Sequence, residues 1–283
     1  MNTIVACIDG SAIATAVCDA GAWASERLDA PLKLLHVLDK SEFPSSGNLS
    51  GNIGLGSREH LLEELTALDE QRGRLALEHG KHMLDQAEQR AREDGAVNIS
   101  KQQRHGSLVE TLLEQEEDTR LFVMGRLGEG HDITAHTLGS HLENVVRTVH
   151  RPILVTVQSF VRPNRFMFAY DASETAEKAL SKVSTSPLLK GLPCHLVMVG
   201  QDTPEHRQQL ANANQKLTVA GFDVTQMLLE GDVQQTLQSY QKQHDIDLMV
   251  MGAYGHSRIR QFFVGSNTTK MVSGSDTSLL LLR

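Results

Sequence analysis

The sequence predicts an α/β fold built from two tandem domains, each an open five-stranded parallel sheet with helices on both faces. Two observations carry this expectation. The 283-residue chain repeats itself, and each repeat alternates short apolar runs with segments of helical periodicity, the pattern of parallel sheets covered by helices. The repeat is seen in four matched blocks in one order. NTIVACIDGSAIATAV from Asn2 matches NRFMFAYDASETAEKAL from Asn164, placing Asp9 on Asp171 and Ser11 on Ser173. LKLLHVLD (Leu32 to Asp39) falls on CHLVMVGQ (Cys194 to Gln201). GSLVETLLEQEEDTRLFVMG, ending at Gly125, matches GDVQQTLQSYQKQHDIDLMVMG, ending at Gly252. GSHLENVV from Gly139 matches GSNTTKMV from Gly265. The seam lies near QSFVRPN, giving domains at residues 1–158 and 164–283.

Each element follows in order. TIVACID is a continuous apolar run ending at an acid, as a strand buried on both faces should be. Ser11 is placed to cap the next helix, whose inward stripe would be Ile13, Ala16, Val17, Ala20, Ala24 and Leu28. Strands follow at LKLLHVL, VNISKQQ, RLFVMG and PILVTV, with helices between them. The last of these helices carries Leu142, Val145, Val146 and Val149 at i, i+3, i+4 and i+7. The second half reads RFMFAYD, CHLVMVG, DVTQMLL, DLMVMG and SLLLLR in the same way. Only the first half has a long insertion, 40–95. It is a Ser/Gly-rich loop (Ser41 to Ser57), expected to be poorly ordered, then a charged helix from about His60 to Glu93 with Leu61, Leu62, Leu65 and Leu68 in a stripe.

Composition narrows the function. A net charge of −8 and 4% aromatic residues argue against nucleic acid or an anionic membrane held by bulk charge. The charge is uneven: residues 1–158 carry 15 Lys+Arg against 24 Asp+Glu, and the remainder 12 against 11. Cys7, Cys18 and Cys194 are scattered without metal spacing and read as reduced, buried thiols. The N-terminus has no basic leader region, and no apolar run approaches the ~18 residues of a membrane helix, so a cytoplasmic location is expected. His79 and His82 read as a solvated surface pair, and His131, His136 and His141 do not share a helical face. Neither a Gly-x4-Gly-Lys-Ser/Thr loop nor a nucleophile elbow is present, and no catalytic apparatus is visible.

The chemistry-bearing stretch is MGAYGHSRIRQFFVGSNTTK, which follows the fourth strand of the second half. Gly252 and Gly255 are followed, after nine residues, by Gly265 and Ser266. Glycines at the carboxyl end of a parallel strand let backbone N–H groups approach a phosphate, and Gly265-Ser266 would open a helix whose positive end faces the same point. Ser266 and Thr268 add hydroxyl donors. Ligands of doubly wound sheets bind at this edge.

With this spacing, placed after a DLMVMG strand and combined with an Asp ending the first strand, the chain resembles a tandem universal stress protein over both halves. The resemblance implies a Rossmann-like (adenine nucleotide alpha hydrolase-like) fold and bound ATP, with or without Mg2+. Position by position it implies Asp171 on the ribose and adenine side and the Val199 backbone at adenine. Met251, Gly252, Tyr254 and Gly255 would line ribose and phosphates, and Gly265, Ser266, Asn267 and Thr268 would hold the phosphate tail. Asn267 stands where a small apolar residue is commoner. The first half departs from the pattern, since Gly125 and Gly128 are followed by ten residues before Gly139-Ser140, with Glu129 and Asp132 between. It reads as a degenerate copy.

Three functions stay open on this reading: an ATP-binding, nucleotide-responsive stress or regulatory protein, a slow ATP-hydrolysing enzyme, and a nucleotide-free scaffold for another small ligand. The final strands PILVTV and SLLLLR are apolar sheet edges, expected to pair as an intramolecular pseudo-dimer, with a further homodimer possible in principle. Asp171 is the one well-placed acid.

Overall fold

The computed structural model describes residues 3–38, 55–127, 140–252 and 277–283. In the first half β1 (Thr3–Cys7), α1 (Ala14–Leu28), β2 (Leu32–Leu38), α2 (Leu55–Glu93) and β3 (Ile99–His105) are followed by α3 (Leu108–Glu114), β4 (Thr119–Gly125), α4 (Ser140–Thr148) and β5 (Ile153–Thr156). The second half contains β6 (Phe166–Ala169), α5 (Glu174–Thr185), a 3-10 turn (Pro187–Leu189), β7 (Cys194–Val199), α6 (Pro204–Val219), β8 (Val224–Leu229), α7 (Val233–Gln243), β9 (Leu248–Gly252) and β10 (Ser278–Leu282).

The strands form one ten-stranded sheet in the order β3-β2-β1-β4-β5-β10-β9-β6-β7-β8. Within each half neighbouring strands are parallel, and the strand order is the same in both. The halves meet where β5 and β10 pair antiparallel, Leu280 opposite Leu154 and Leu281 opposite Ile153. The pattern of burial follows position. Central β6 and β10 are buried at every residue, whereas the outermost strands ISKQQRH and VTQMLL alternate poorly and expose polar groups. Lys101 and Arg104 on β3 give that edge the charge that discourages further strand addition.

One core cluster lies under α1, the end of α2, α5 and α6, and the other under α3, α4 and α7. The six residues of the α1 stripe are each at most 6% exposed, and the four of α4 at most 3%. Each of the Ile, Val and Leu side chains among them contributes on the order of 1.5–3 kcal/mol of transfer free energy, offset by ordering entropy.

Two local expectations need correction. Ser11 does not cap α1, because its hydroxyl donates to Asp9 Oδ1 (2.5 Å) and the helix opens later, at Ala14, without a side-chain cap. The charged helix begins at Leu55 rather than near His60, since extending a formed helix costs far less than nucleating one. Its early stripe is not where it docks. Leu65 is half-buried and Leu68 is 42% exposed, while Leu84, Ala87 and Ala91 enter the core beside α1. Most of the Ser41–Ser57 loop, and the side chains of Leu61 and Leu62, lie outside the described residues.

Candidate functional site

A cleft of about 550 Å3 opens at the carboxyl ends of β6 and β7, roofed by α6 and flanked by α7. Its first wall is the turn after β6. Asp171 Oδ1 accepts the Ser173 N–H at 3.1 Å, and Ser173 Oγ in turn accepts the Ala176 N–H at 3.1 Å, capping α5. The two side chains thus divide the work: Ser173 closes the helix, and Asp171 folds the turn and stays half-buried at the cleft. Between them Ala172 holds φ 57°, a left-handed conformation that costs a residue with a Cβ about 1 kcal/mol or more.

Tyr170 braces this wall from behind. Its hydroxyl donates to Glu177, which also accepts Lys216 Nζ at 2.5 Å. Burial and the neighbouring Glu177 carboxylate push the Tyr170 phenol well above its ordinary value. Burial alone would raise Glu177, but hydrogen bonds from Lys216 and Tyr170 outweigh it and hold the carboxyl below the usual range.

The second wall is the end of β7. Val199 is half-buried there, and Gly200 donates its N–H to the Leu229 carbonyl at 2.8 Å. Thr203 caps α6 with Pro204 in its first turn. That start sets the helical phase so that His206 and Gln209, three residues apart, both face the cleft. His206 Nδ1 lies 2.7 Å from the Gln201 carbonyl. A carbonyl only accepts, so Nδ1 carries the proton in this bond.

β9 brings the third contribution. Met251 is 2% exposed and its side chain packs in the core beneath α7, leaving its main chain at the strand end. Gly252 is required by space: a Cβ there would stand 3.0 Å from the Thr175 carbonyl group and 3.1 Å from the Ala176 nitrogen. The first turn of α5 therefore closes directly on β9. Tyr254, Gly255, Gly265, Ser266, Asn267 and Thr268 lie outside the described residues.

The Usp family model, described as the universal stress protein family, matches residues 1–157 and 195–283. The chain belongs to the universal stress protein family. The curated Universal stress protein Slr1230 of Synechocystis sp. is 33% identical over 287 residues and covers all of both chains. Among solved structures, a universal stress protein of Archaeoglobus fulgidus superposes with TM-score 0.69 at 17% identity, over 100% of this chain and 96% of that one. A Pseudomonas aeruginosa protein of unknown function gives TM-score 0.60 at 14% identity, over 100% and 92%. These likenesses match the Rossmann-like α/β fold over the full length of the chain.

Within this universal stress protein fold, Asp171 and Val199 meet at one cleft, and Gly252 ends the neighbouring strand. Sequence reasoning overlooked Gln201, His206 and Gln209. The signal was present in the Thr-Pro pair that fixes where α6 begins. In the first half, Asp9 accepts both the Ser11 N–H and hydroxyl, and Leu127 is buried against the core with Ile13. Cys7 beside Asp9 is pushed up to about 12 by burial and by that carboxylate. No helix among the described residues is long and apolar enough to cross a membrane, and no metal-holding cluster occurs among them.

Proposed function

We propose that the protein binds one adenine nucleotide, ATP, in its second half, and that occupancy alters how it meets partners, with no catalytic role required. The observation that carries the reading is the cleft at β6 and β7. Its volume falls within the ~300–1,000 Å3 of small-molecule sites, it lies at the ligand edge of a doubly wound sheet, and Asp171 and Val199 both line it. Asp171 would accept from ribose hydroxyls, the Val199 main chain would read the adenine edge, and His206 and Gln209 would supply polar groups at the roof. Met251 and Gly252 would lead into Tyr254, Gly255 and the Gly265 to Thr268 segment, where the phosphates would lie, with Mg2+ as an optional companion.

The same reading treats residues 1–158 and 164–283 as two domains acting as an intramolecular pseudo-dimer in the cytoplasm, which the β5–β10 pairing supports. The first domain would not bind ATP. Arg126 is opposed there by Glu129 and Asp132, whereas Gly252 to Ser266 carries Arg258 and Arg260 with no acid. A carboxylate ~7 Å from a phosphate charge costs on the order of 1 kcal/mol at an effective dielectric near ~40.

Titration calorimetry of the full chain should give an ATP stoichiometry near one. Gly255→Asp should abolish binding, and Gly128→Asp should leave it. Two equivalent sites, or loss with Gly128→Asp alone, overturn the assignment. Steady-state phosphate release at saturating ATP separates a binding protein from a slow hydrolase.

A further inference from the structure

A second cavity, of about 240 Å3, lies at the seam between the halves, where the end of α1 faces α5 and the 3-10 turn. Its surface is apolar over Leu28, Leu121, Val183, Leu188, Leu280 and Leu282. Three cations also line it, Arg120, Arg151 and Lys182, each half-buried. No Asp or Glu is among the described residues of the lining.

Arg120 and Arg151 are held in place without being neutralised. Arg120 donates one terminal N–H to the Leu28 carbonyl at 3.1 Å. Arg151 donates Nε–H to the Glu116 carbonyl at 2.8 Å and a terminal N–H to the Glu117 carbonyl at 3.0 Å. A guanidinium has five N–H donors, so both keep donors in reserve. The nearby Glu116 carboxylate accepts the backbone N–H groups of His150 and Arg151. None of the three cations forms an ion pair among the described residues. Burial and the charge of Arg151 together lower the Lys182 pKa, as expected for like charges crowded without a counter-ion.

The repeat supplies an internal control. In the register that matches the two halves, the positions of Arg120, Arg151 and Lys182 are occupied by Asp247, Thr277 and Ala20. Both Asp247 and Thr277 have local tasks: Asp247 accepts the Asn164 N–H at 2.8 Å, and the Thr277 hydroxyl bonds to Gln241. The fold therefore forms this junction without three cations. Arg120 and Arg151 come from the half with excess acid and Lys182 from the other, and their gathering on one side of the seam calls for another cause.

We propose that this cavity binds a small amphipathic carboxylate. Its head group would meet Lys182 and the spare donors of Arg120 and Arg151, and its short apolar body would lie on the leucine surface. A volume below the ~300–1,000 Å3 of drug-sized sites sets the ligand's length to a short or medium chain. This assignment is independent of the nucleotide reading, because the seam and the β6–β7 cleft share no lining residue.

The test is calorimetric titration of the full-length protein with octanoate, 1-octanol and inorganic phosphate. Octanoate should bind saturably with one site per chain, at least tenfold tighter than the other two. Lys182→Gln should weaken octanoate at least tenfold while Lys182→Arg keeps most of the affinity, and saturating ATP should not compete. Absence of saturable octanoate binding overturns the proposal. Equal affinity for octanol overturns the role of the cations, and equal affinity for phosphate the role of the apolar surface. Displacement by ATP moves the site elsewhere and overturns it too. The ligand comparison uses the unsubstituted protein, so it decides the matter even if a Lys182 variant folds poorly.

Discussion

Replacing Gly80 by Ala tests how the long helix α2 is seated. Gly80 is buried where α2 crosses β2 and β3, and a Cβ at this position would stand 2.6 Å from His36 Cδ2 and 2.9 Å from His36 Nε2, with the Gln103 amide also in contact. Gln103 is at a sheet edge and can turn away. His36 cannot, being 5% exposed with Nδ1 hydrogen-bonded to the Ile8 carbonyl at 2.8 Å. Overpacking of this kind costs ~1–3 kcal/mol, and tilting the ring forfeits a hydrogen bond of ~1 kcal/mol. Helix propensity returns ~1 kcal/mol for Gly→Ala, leaving a net destabilisation of ~1–3 kcal/mol. Gly73 lies in the same helix with nothing within 4 Å of its would-be Cβ. Gly73→Ala gains the propensity term alone and should stabilise by up to ~1 kcal/mol. Urea and thermal melts followed by circular dichroism should separate the two variants by ~2–4 kcal/mol, or at least ~4 °C in midpoint. If the two midpoints move together, α2 is not seated on His36 and the reasoning fails.

Other consequences can be checked with little effort. Arg27 donates to the carbonyls of Pro187, Leu188 and Lys190 across the seam. Arg27→Ala should cost ~1.5–3 kcal/mol, and an unchanged urea midpoint would count against this clamp. Because the folded state holds Glu177 below its ordinary pKa, its contribution is complete above ~4.3 and is lost as pH falls through the lower folded value. The stability gap between wild type and Glu177→Gln should therefore shrink between pH 6 and pH 3, and a gap that widens contradicts the network. Burial raises Cys18 to about 12 and Cys194 higher still, as burial and Asp9 do for Cys7. At pH 8 native protein should react slowly with a disulfide reagent and release three thiols only when denatured; fast labelling of two or more in the native state refutes this.

What sequence could disclose follows from how local the cause is. The strands were legible because burial on both faces demands uninterrupted apolar runs such as TIVAC and FMFA, and the repeat aligned them. The inward stripe of α1 was legible from its period. The cap was not, because Ser11 has two nearby uses for its hydroxyl and only the turn geometry decides that Asp9 takes it, while Ser173 in the matching position caps α5. The early leucines of α2 mark an amphipathic helix, but the body of the protein ends before reaching Leu68 and Leu75. At the cleft, Asp171 and Val199 were named through the family resemblance, and both stand at or just past strand ends. His206 and Gln209 come from an element whose tilt over the sheet is a tertiary property.

The one-sided reach of Arg27 has a further meaning. In a dimer of identical chains every substitution at a two-fold interface is made twice, so a side chain can be introduced only if its symmetric twin is also tolerated. Here the position matching Arg27 is Leu189, and the position matching Lys182 is Ala20. Joining the halves in one chain holds them together at an effective concentration in the millimolar range or above. Neither side must then be self-complementary. Each can drift on its own, one half free to lose a ligand and the junction free to acquire features that a symmetric assembly would forbid.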